Sequence, residues 1–357
     1  MNMATYSCEE VTQAPVADQH HIHRLLHSSY GIRQAALHEL TGYEDCNFLL
    51  DDVVWEDGGP SKAVLKVTNP LEAKKDENID FQVKLCEILN ERGIPCPNII
   101  SRLDGRAWGL EEIVDGVCLP VRIFGVLPGS NLEQFSFDPQ LVKDIGELLA
   151  KFHIITDESK LSVSHIPYIA VEHRKSILNE VKLQLENSII SEERSQLISQ
   201  CLEEYEDRIV RNGHLHEFGL IHSDINETNL LITEIDGKKK ITGLLDFGDV
   251  HHSFRIVDIA STVLYLHLSD KLKQGVRTLA HNILEGYCRV RQPSPCTELL
   301  TAMKARLSCS LIYGLRTARL NFRGGNVEYI LRTQSNGWKI LEELHNSELC
   351  LEDVERR

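Results

Sequence analysis

Apolar and polar positions change rhythm several times along this chain, and the changes divide it. After a polar leader, residues 16–29 predict a short helix, and strand-like runs follow at 36–40, 47–50 and 63–67. Turn residues separate these runs, at Gly42 and in the cluster Asp57-Gly58-Gly59-Pro60, which reads as an antiparallel sheet. Over 80–92 the apolar residues Phe81, Val83, Leu85, Ile88 and Leu89 include helical spacings, and Gly93 follows as a stop signal. One helix is therefore expected among the strands. Two more strands are expected at 107–113 and 117–127, ending at Pro128-Gly129, where a hinge belongs. Beyond it the pattern is mainly helical, at 139–156, 171–212, 258–266, 273–288, 297–320 and 329–344. A non-helical island at 220–250 interrupts these helices and holds two strand-like runs, 230–235 and 239–245.

Composition supports an ordinary globular protein of two lobes: 357 residues, 42% hydrophobic and 25% charged. The formal charge of −15 repels phosphate backbones and anionic headgroups, so nucleic acid and membrane are not expected partners, while cationic metabolites are attracted. The ten cysteines form no CxxC pair, and the closest two, Cys288 and Cys296, fit no zinc spacing. They read as reduced thiols, with Cys118 and Cys309 inside apolar runs as core residues. The start of the chain lacks the basic and apolar regions of a signal peptide, and no apolar run is long enough to span a bilayer. The expected location is the cytoplasm.

The island carries the chemistry. His222-Ser223-Asp224-Ile225-Asn226-Glu227-Thr228-Asn229 sets an aspartate five residues before an asparagine, directly ahead of a strand. Seventeen residues after Asn229, a strand ends in Asp246-Phe247-Gly248. Upstream, Lys66 closes the run Ala63-Val64-Leu65. In this order the three elements match a phosphoryl-transfer site, whose chemistry is positioning plus charge neutralisation. Asp224 is the expected catalytic base, Asn229 and Asp246 the Mg²⁺ ligands, and Lys66 the contact to the phosphates of a nucleoside triphosphate. His222 is expected to brace the loop rather than transfer a proton. Each element alone is a common loop or strand feature, and the specificity lies in their order and separation. The hairpin Thr41-Gly42-Tyr43-Glu44-Asp45 has a single glycine, not GxGxxG, and only about ten residues separate Gly248 from the next expected helix. An activation loop does not fit there, which points to a small hydroxylated acceptor rather than a protein.

The segments IHSDINETNLLI, GLLDFGDV and VRIFGVLPGSNL, with TGYEDCNFLL and AVLKVTNP, resemble the aminoglycoside phosphotransferase superfamily over most of the chain. The likeness implies an α+β, bilobal protein-kinase-like fold, with an antiparallel-sheet N-lobe holding one inserted helix and a mostly helical C-lobe. It divides the chain into 1–30, a leader and helix; 31–128, the nucleotide-binding lobe; and 129–357, the catalytic and substrate-binding lobe. It further implies that Tyr43, Asp45 and Asn47 cover the nucleotide, that GTP or ATP is the donor, and that backbone groups near Phe124 and Val126 meet the base. Asp80 stands where a carboxylate partner for Lys66 is expected, with Glu77 and Glu87 as rivals. The implied acceptor is 5-hydroxy-L-lysine. Choline, homoserine, a methylated amino acid or an aminoglycoside are alternatives, and a catalytically silent binding module is a third reading. A small cationic acceptor of this kind needs acidic partners, for which Asp249 and Asp258 are candidates, and an arginine for its carboxylate, Arg316 or Arg319. The cluster His20-His21-Ile22-His23 and the charges over 180–206 read as solvated surface, and His251-His252 as passive neighbours of the site.

Overall fold

The computed structural model describes residues 16–269, 274–320 and 327–347, so most of the expected leader lies outside the described residues. Helix α1 (Gln19–Tyr30) starts where Asp18 accepts a hydrogen bond from the His20 amide and stops at Gly31 in the left-handed conformation. Strands β1 (Ile32–Leu40), β2 (Cys46–Trp55) and β3 (Ala63–Val67) follow. Helix α2 (Asp76–Glu91) comes next, then β4 (Ile99–Ile100), β5 (Gly109–Val114) and β6 (Val117–Gly125). These strands form one antiparallel sheet in the order β1-β2-β3-β6, with β4 and β5 sharing the far edge of β6. Ile22, Leu25 and Leu26 of α1 cover one face against Leu50, Leu65, Val121 and Ile123.

Helix α2 begins at Asp76 rather than near 80, because Asp76 and Glu77 in its first turn complement the helix dipole. Its apolar stripe, Phe81, Leu85 and Leu89, packs into the second, larger core and not under the sheet. Past the sheet, β7 (Ser130–Asn131) pairs with β9 (Leu230–Ile235), and the Thr242 hydroxyl donates to the Pro128 carbonyl, so the chain at the expected hinge is docked onto the island. The expected helix over 171–212 is broken into α4 (Arg174–Glu186), α5 (Glu192–Tyr205) and a wide turn, after α3 (Pro139–Ser159). Strand β8 (Phe218–Ile221) precedes β9, and β10 (Lys238–Leu244) pairs with β9 as the alternation predicts. The short interval after Gly248 holds β11 (His251–Phe254), paired with β8, which leaves no room for an extended loop before α6 (Arg255–Leu268). Helices α7 (Val276–Cys288), α8 (Leu299–Leu320), α9 (Val327–Ile330) and α10 (Gln334–His345) complete the described chain, and α3, α6, α7 and α8 enclose the larger core. No helix of the described residues is long and apolar enough to cross a membrane.

Three surface expectations need correction. Cys118 lies on the outward face of β6 and is exposed, whereas Cys309 is buried. His21 is not solvated: it lies on the buried face of α1, 3.1 Å from both Asp18 and Asp115. Glu180 is fully buried and pairs with Arg319 at 3.1 Å, so the 180–206 segment is not uniformly a solvated face.

Helices α3 and α7 touch backbone to backbone through Gly146 and Gly286. A β-carbon at Gly286 would overlap the Lys143 carbonyl, and one at Gly146 would overlap that of Ile283. Overpacking of this kind costs about 1–3 kcal/mol. We expect Gly286→Ala to lower the urea midpoint by an amount corresponding to at least ~2 kcal/mol; an unchanged midpoint would show that the helices separate freely.

Candidate active site

The catalytic loop is built around a carboxylate that never meets solvent. Asp258, in the first turns of α6, accepts from the amides of His222 at 2.8 Å and Ser223 at 2.7 Å and from His153 Nε2 at 2.9 Å. Burial pushes its pKa up, but the His153 hydrogen bond and the surrounding donors outweigh that and hold the carboxyl below the usual range. The expected role of Asp258 as a contact to the acceptor's ammonium is therefore corrected: the carboxylate is fully buried and holds two loop amides and His153 of α3. His153 takes a hydrogen bond on Nδ1 from the Tyr287 hydroxyl at 2.7 Å, and burial lowers its pKa to about 4, so it is neutral with its proton on Nε2. His222, also depressed by burial, accepts from the Asp224 amide on Nδ1 and donates from Nε2 to the Leu245 carbonyl at 3.2 Å. Its ring packs on Phe247 at 5.3 Å between centroids. One imidazole thus ties the Asp224 loop to the Asp246-Phe247-Gly248 turn, a brace and not an acid.

Four side chains predicted from sequence meet here. Asn229 Nδ2 donates to Asp224 Oδ2 at 2.7 Å and to the Asp224 carbonyl at 2.9 Å, which leaves its Oδ1 as the amide's remaining acceptor. The Leu245 amide donates to the Asn229 carbonyl, setting the next residue, Asp246, beside it. Asp246 holds a left-handed backbone, φ 58°, which turns its carboxylate into the cleft, where Oδ1 stands 3.6 Å from Lys66 Nζ. Asn229 Oδ1 and the half-exposed Asp246 carboxylate are hard oxygen donors, and a second carboxylate, Asp224, adjoins them. That donor set fits Mg²⁺.

Lys66 is held differently from expectation. Asp80 accepts from Trp108 Nε1 at 2.7 Å on the exposed face of α2, and Glu77 and Glu87 are exposed as well. The partner of Lys66 is Asp45, at 2.8 Å, whose other oxygen takes the amide and the side-chain N–H of Asn69. Burial works against the Lys66 charge, but Asp246 and Asp45 more than compensate and its pKa is raised. Asp45 thus positions the lysine rather than lying free over a nucleotide. Antiparallel register explains the contact: Asn47 lies opposite Lys66 on β2 and β3, which puts Asp45 within reach, a signal readable from sequence once the pairing is fixed. Arg122, unnoticed in the sequence, faces Lys66 from β6 and is buried, with its pKa lowered by that burial. Phe124 sits in β6 between β3 and β4, and Val126 lies exposed just beyond the strand.

The hairpin after Gly42 is anchored into the other lobe. Tyr43 stacks on Tyr313 of α8, and Glu44 accepts from the Tyr313 hydroxyl at 2.6 Å. Burial raises the Glu44 carboxyl to about 8. Nothing local marks this contact, since its partners lie 269 residues apart.

Acidic groups crowd the acceptor side. Burial, then Asp249, raises the Asp224 carboxyl well above its ordinary value, while Arg306 opposes the shift. Asp249 lies 3.9 Å from Arg306, which is buried, donates to the Ser223 and Ile169 carbonyls and stacks over Tyr265. Arg306 faces this cluster from α8, and sequence reasoning missed it because nothing in the residue order sets it against Asp249. Arg316 is buried against the Tyr313 ring. Arg319 is held by Glu180 of α4, which corrects its expected placement in the acceptor site. His251 is no passive neighbour: Nδ1 donates to the Asp249 carbonyl at 2.7 Å and Nε2 faces buried Glu172 at 3.2 Å, fixing the chain after Asp249.

Residues 42–295 match the model of the phosphotransferase enzyme family. The hydroxylysine kinase of Xenopus laevis is 25% identical over 340 residues, spanning 90% of this chain and 88% of its own. The hydroxylysine kinase of Danio rerio is 26% identical, with 92% and 91% covered. Among solved structures, an amicoumacin kinase in complex with AMP-PNP, Ca²⁺ and amicoumacin superimposes with a TM-score of 0.66 at 15% identity, over 91% of this chain and 94% of that one. The shared feature is the bilobal protein-kinase-like fold.

The buried, neutral His153 generates a pH prediction. Unfolding frees it to bind a proton at its ordinary pKa of about 6.5, which the folded chain refuses until about 4. Stability is expected to fall as pH drops from ~6.5 towards 4, by up to about 1.4 kcal/mol per unit for this one group. Urea midpoints between pH 8 and 5 measure it, and His153→Gln should flatten the slope. An identical slope in the variant would remove His153 from the account.

Proposed function

The chain belongs to the phosphotransferase enzyme family, a small-metabolite kinase that uses an alcohol group as acceptor, and from this premise we propose that it moves the terminal phosphoryl of GTP or ATP to the hydroxyl of 5-hydroxy-L-lysine. The observation that carries the reading is the meeting of Lys66 from the first sheet with Asp246, Asn229 and Asp224 from the island. The relatives named for that acceptor, matched over almost their full length, support the choice of substrate.

In this mechanism Asp224 accepts the proton of the acceptor hydroxyl as its oxygen bonds to the terminal phosphorus and the bond to the bridging oxygen of the nucleoside diphosphate breaks. Burial, then the neighbouring Asp249, raises the Asp224 carboxyl and makes it a stronger proton acceptor, and Arg306 limits the rise. Asn229 fixes the Asp224 carboxylate in one rotamer. Lys66, charged and aimed by Asp45, binds the phosphates, with Arg122 adding positive potential behind it. Asn229 Oδ1 and Asp246 would hold Mg²⁺, which supplies neutralisation of phosphate charge. Backbone groups by Phe124 and Val126 border the nucleobase, with Asn47 opposite Lys66 on β2, while Tyr43 ties the hairpin to α8. The site is strongly negative without its metal, so Asp249 draws in a cationic acceptor.

A coupled assay of nucleoside diphosphate release across amino acids and amino alcohols, each with GTP and ATP, tests the substrate. Turnover of hydroxylysine above the rest is expected, and turnover of choline alone would sink the proposal. Asp224→Asn should lower kcat by about 10²–10⁴-fold while nucleotide affinity stays close to that of the unmodified protein. An unimpaired variant would remove Asp224 from its role.

A further inference from the structure

Residues 41–45, the turn between β1 and β2, carry two adjacent carboxylates that face different lobes. Glu44 points at α8: its Oε1 accepts from the Tyr313 hydroxyl at 2.6 Å and from the Thr317 hydroxyl at 3.5 Å. Beside it the Tyr43 ring stacks on the Tyr313 ring, with 6.4 Å between centroids and 16° between planes. Asp45 points back into its own lobe. One of its oxygens takes Lys66 Nζ at 2.8 Å, and the other takes the amide and the side-chain N–H of Asn69 at 2.8 and 2.9 Å. Lys66 in turn stands 3.6 Å from Asp246 of the island. Two contacts from this lobe to the other, at α8 and at Asp246, thus run through neighbouring residues of one short turn.

The turn is stiff enough to transmit the contact. A β-carbon on Gly42 would lie 2.6 Å from the Asp45 carbonyl, so the chain folds back on itself with no space for a side chain there. On the receiving side, Tyr313 and Thr317 are 3% and 0% exposed on a helix buried over most of its length, and a β-carbon on Gly314 would come within 3.3 Å of the Tyr43 hydroxyl. The α-carbons of residues 44 and 45 are about 3.8 Å apart, so a shift at Glu44 carries to Asp45. Asn69 fixes Asp45 within the first lobe only; the height of the turn over the second lobe is set from α8. A misplacement of about 1 Å between Lys66 and a bound phosphate costs up to ~10²-fold in rate. We infer that Glu44 and Tyr313 are positioning residues: their hydrogen bond clasps the turn to α8 and, through Asp45, holds Lys66 at the phosphate-binding position beside Asp246. The inference rests on the kinase reading above and adds to it a dependence of the phosphate contact on a helix of the acceptor lobe. The clasp needs an acceptor oxygen rather than a charge, since burial pushes the Glu44 carboxyl up to about 8 and leaves it mostly protonated at pH 7.

Steady-state kinetics of the full chain with Mg²⁺, nucleotide and the acceptor turned over best, together with urea midpoints, provide the test. Tyr313→Phe keeps the ring stack and removes the hydroxyl; it should lower kcat about tenfold while the KM for the acceptor stays within about twofold. Glu44→Ala, on the partly exposed turn, should do the same and serves if Tyr313→Phe does not fold. Glu44→Gln, which retains an acceptor oxygen, should keep at least about half of kcat. In an Asp45→Asn background the further loss from Tyr313→Phe should shrink to less than about twofold, because the route through Asp45 is already cut. A purely structural role instead lowers the urea midpoint and leaves kcat per folded molecule unchanged. That result, a Glu44→Gln enzyme as slow as Glu44→Ala, or a full tenfold loss in the Asp45→Asn background would overturn the inference and leave the kinase reading intact. Absence of turnover with any hydroxylated amine or amino acid in the unmodified enzyme would overturn the kinase reading and this inference with it.

Discussion

A single buried carboxylate sets the geometry from which the site is built. Asp258 has no exposed surface, and its charge is compensated by two backbone amides of the catalytic loop and one histidine. Removing one partner of such a cluster leaves an uncompensated charge in a medium of low dielectric, so the cluster behaves as a unit. Ser223, in the left-handed region at φ 70°, is held in that costly conformation by the same bonds. Asp224 then projects into the cleft with its amide on His222, and His222 passes the constraint to the Leu245 carbonyl beside the Asp246 turn. Asp224 and the Asp246 turn are placed by hydrogen bonds from beneath.

Around that frame the cleft concentrates negative charge. Glu44, Asp45, Glu72, Asp224 and Asp249 come from four separated stretches of chain, and several raise one another's affinity for protons. Such a collection is unstable in isolation and becomes favourable when divalent metal and a cationic acceptor enter. Three buried or half-buried cations stand among them: Lys66 against Asp45, Arg306 against Asp249, and Arg122 opposite Lys66 across the sheet. The net charge of the sequence hinted at a cationic substrate; the hint has physical content only because the acidic groups converge.

Some of this was legible in the residue order and some was not. The spacing from Asp224 to Asn229 and on to Asp246 is local, and local spacing dictates which strand ends share a turn, so the meeting of these three residues was readable. The run ending in Lys66 was readable for the same reason, and β3, β9 and β10 fall where alternation put them. The lysine's partner was misplaced because Asp80 lies on the outer face of α2 while Asp45 is a cross-strand neighbour. Asp258 and Arg319 were taken as contacts to the acceptor because residue order does not tell which buried partner a charged helix residue faces until the packing of α3, α4 and α8 is known.

By itself the sequence determined the reaction class and the two-part architecture, since both follow from short-range patterns: hydrophobic period and the order of three motifs. Only the tertiary structure decided which carboxylates line the cleft and which brace it. That choice depends on burial and on partners as distant as Glu44 and Tyr313, 269 positions apart, and no local pattern encodes an electrostatic environment assembled from the ends of the chain.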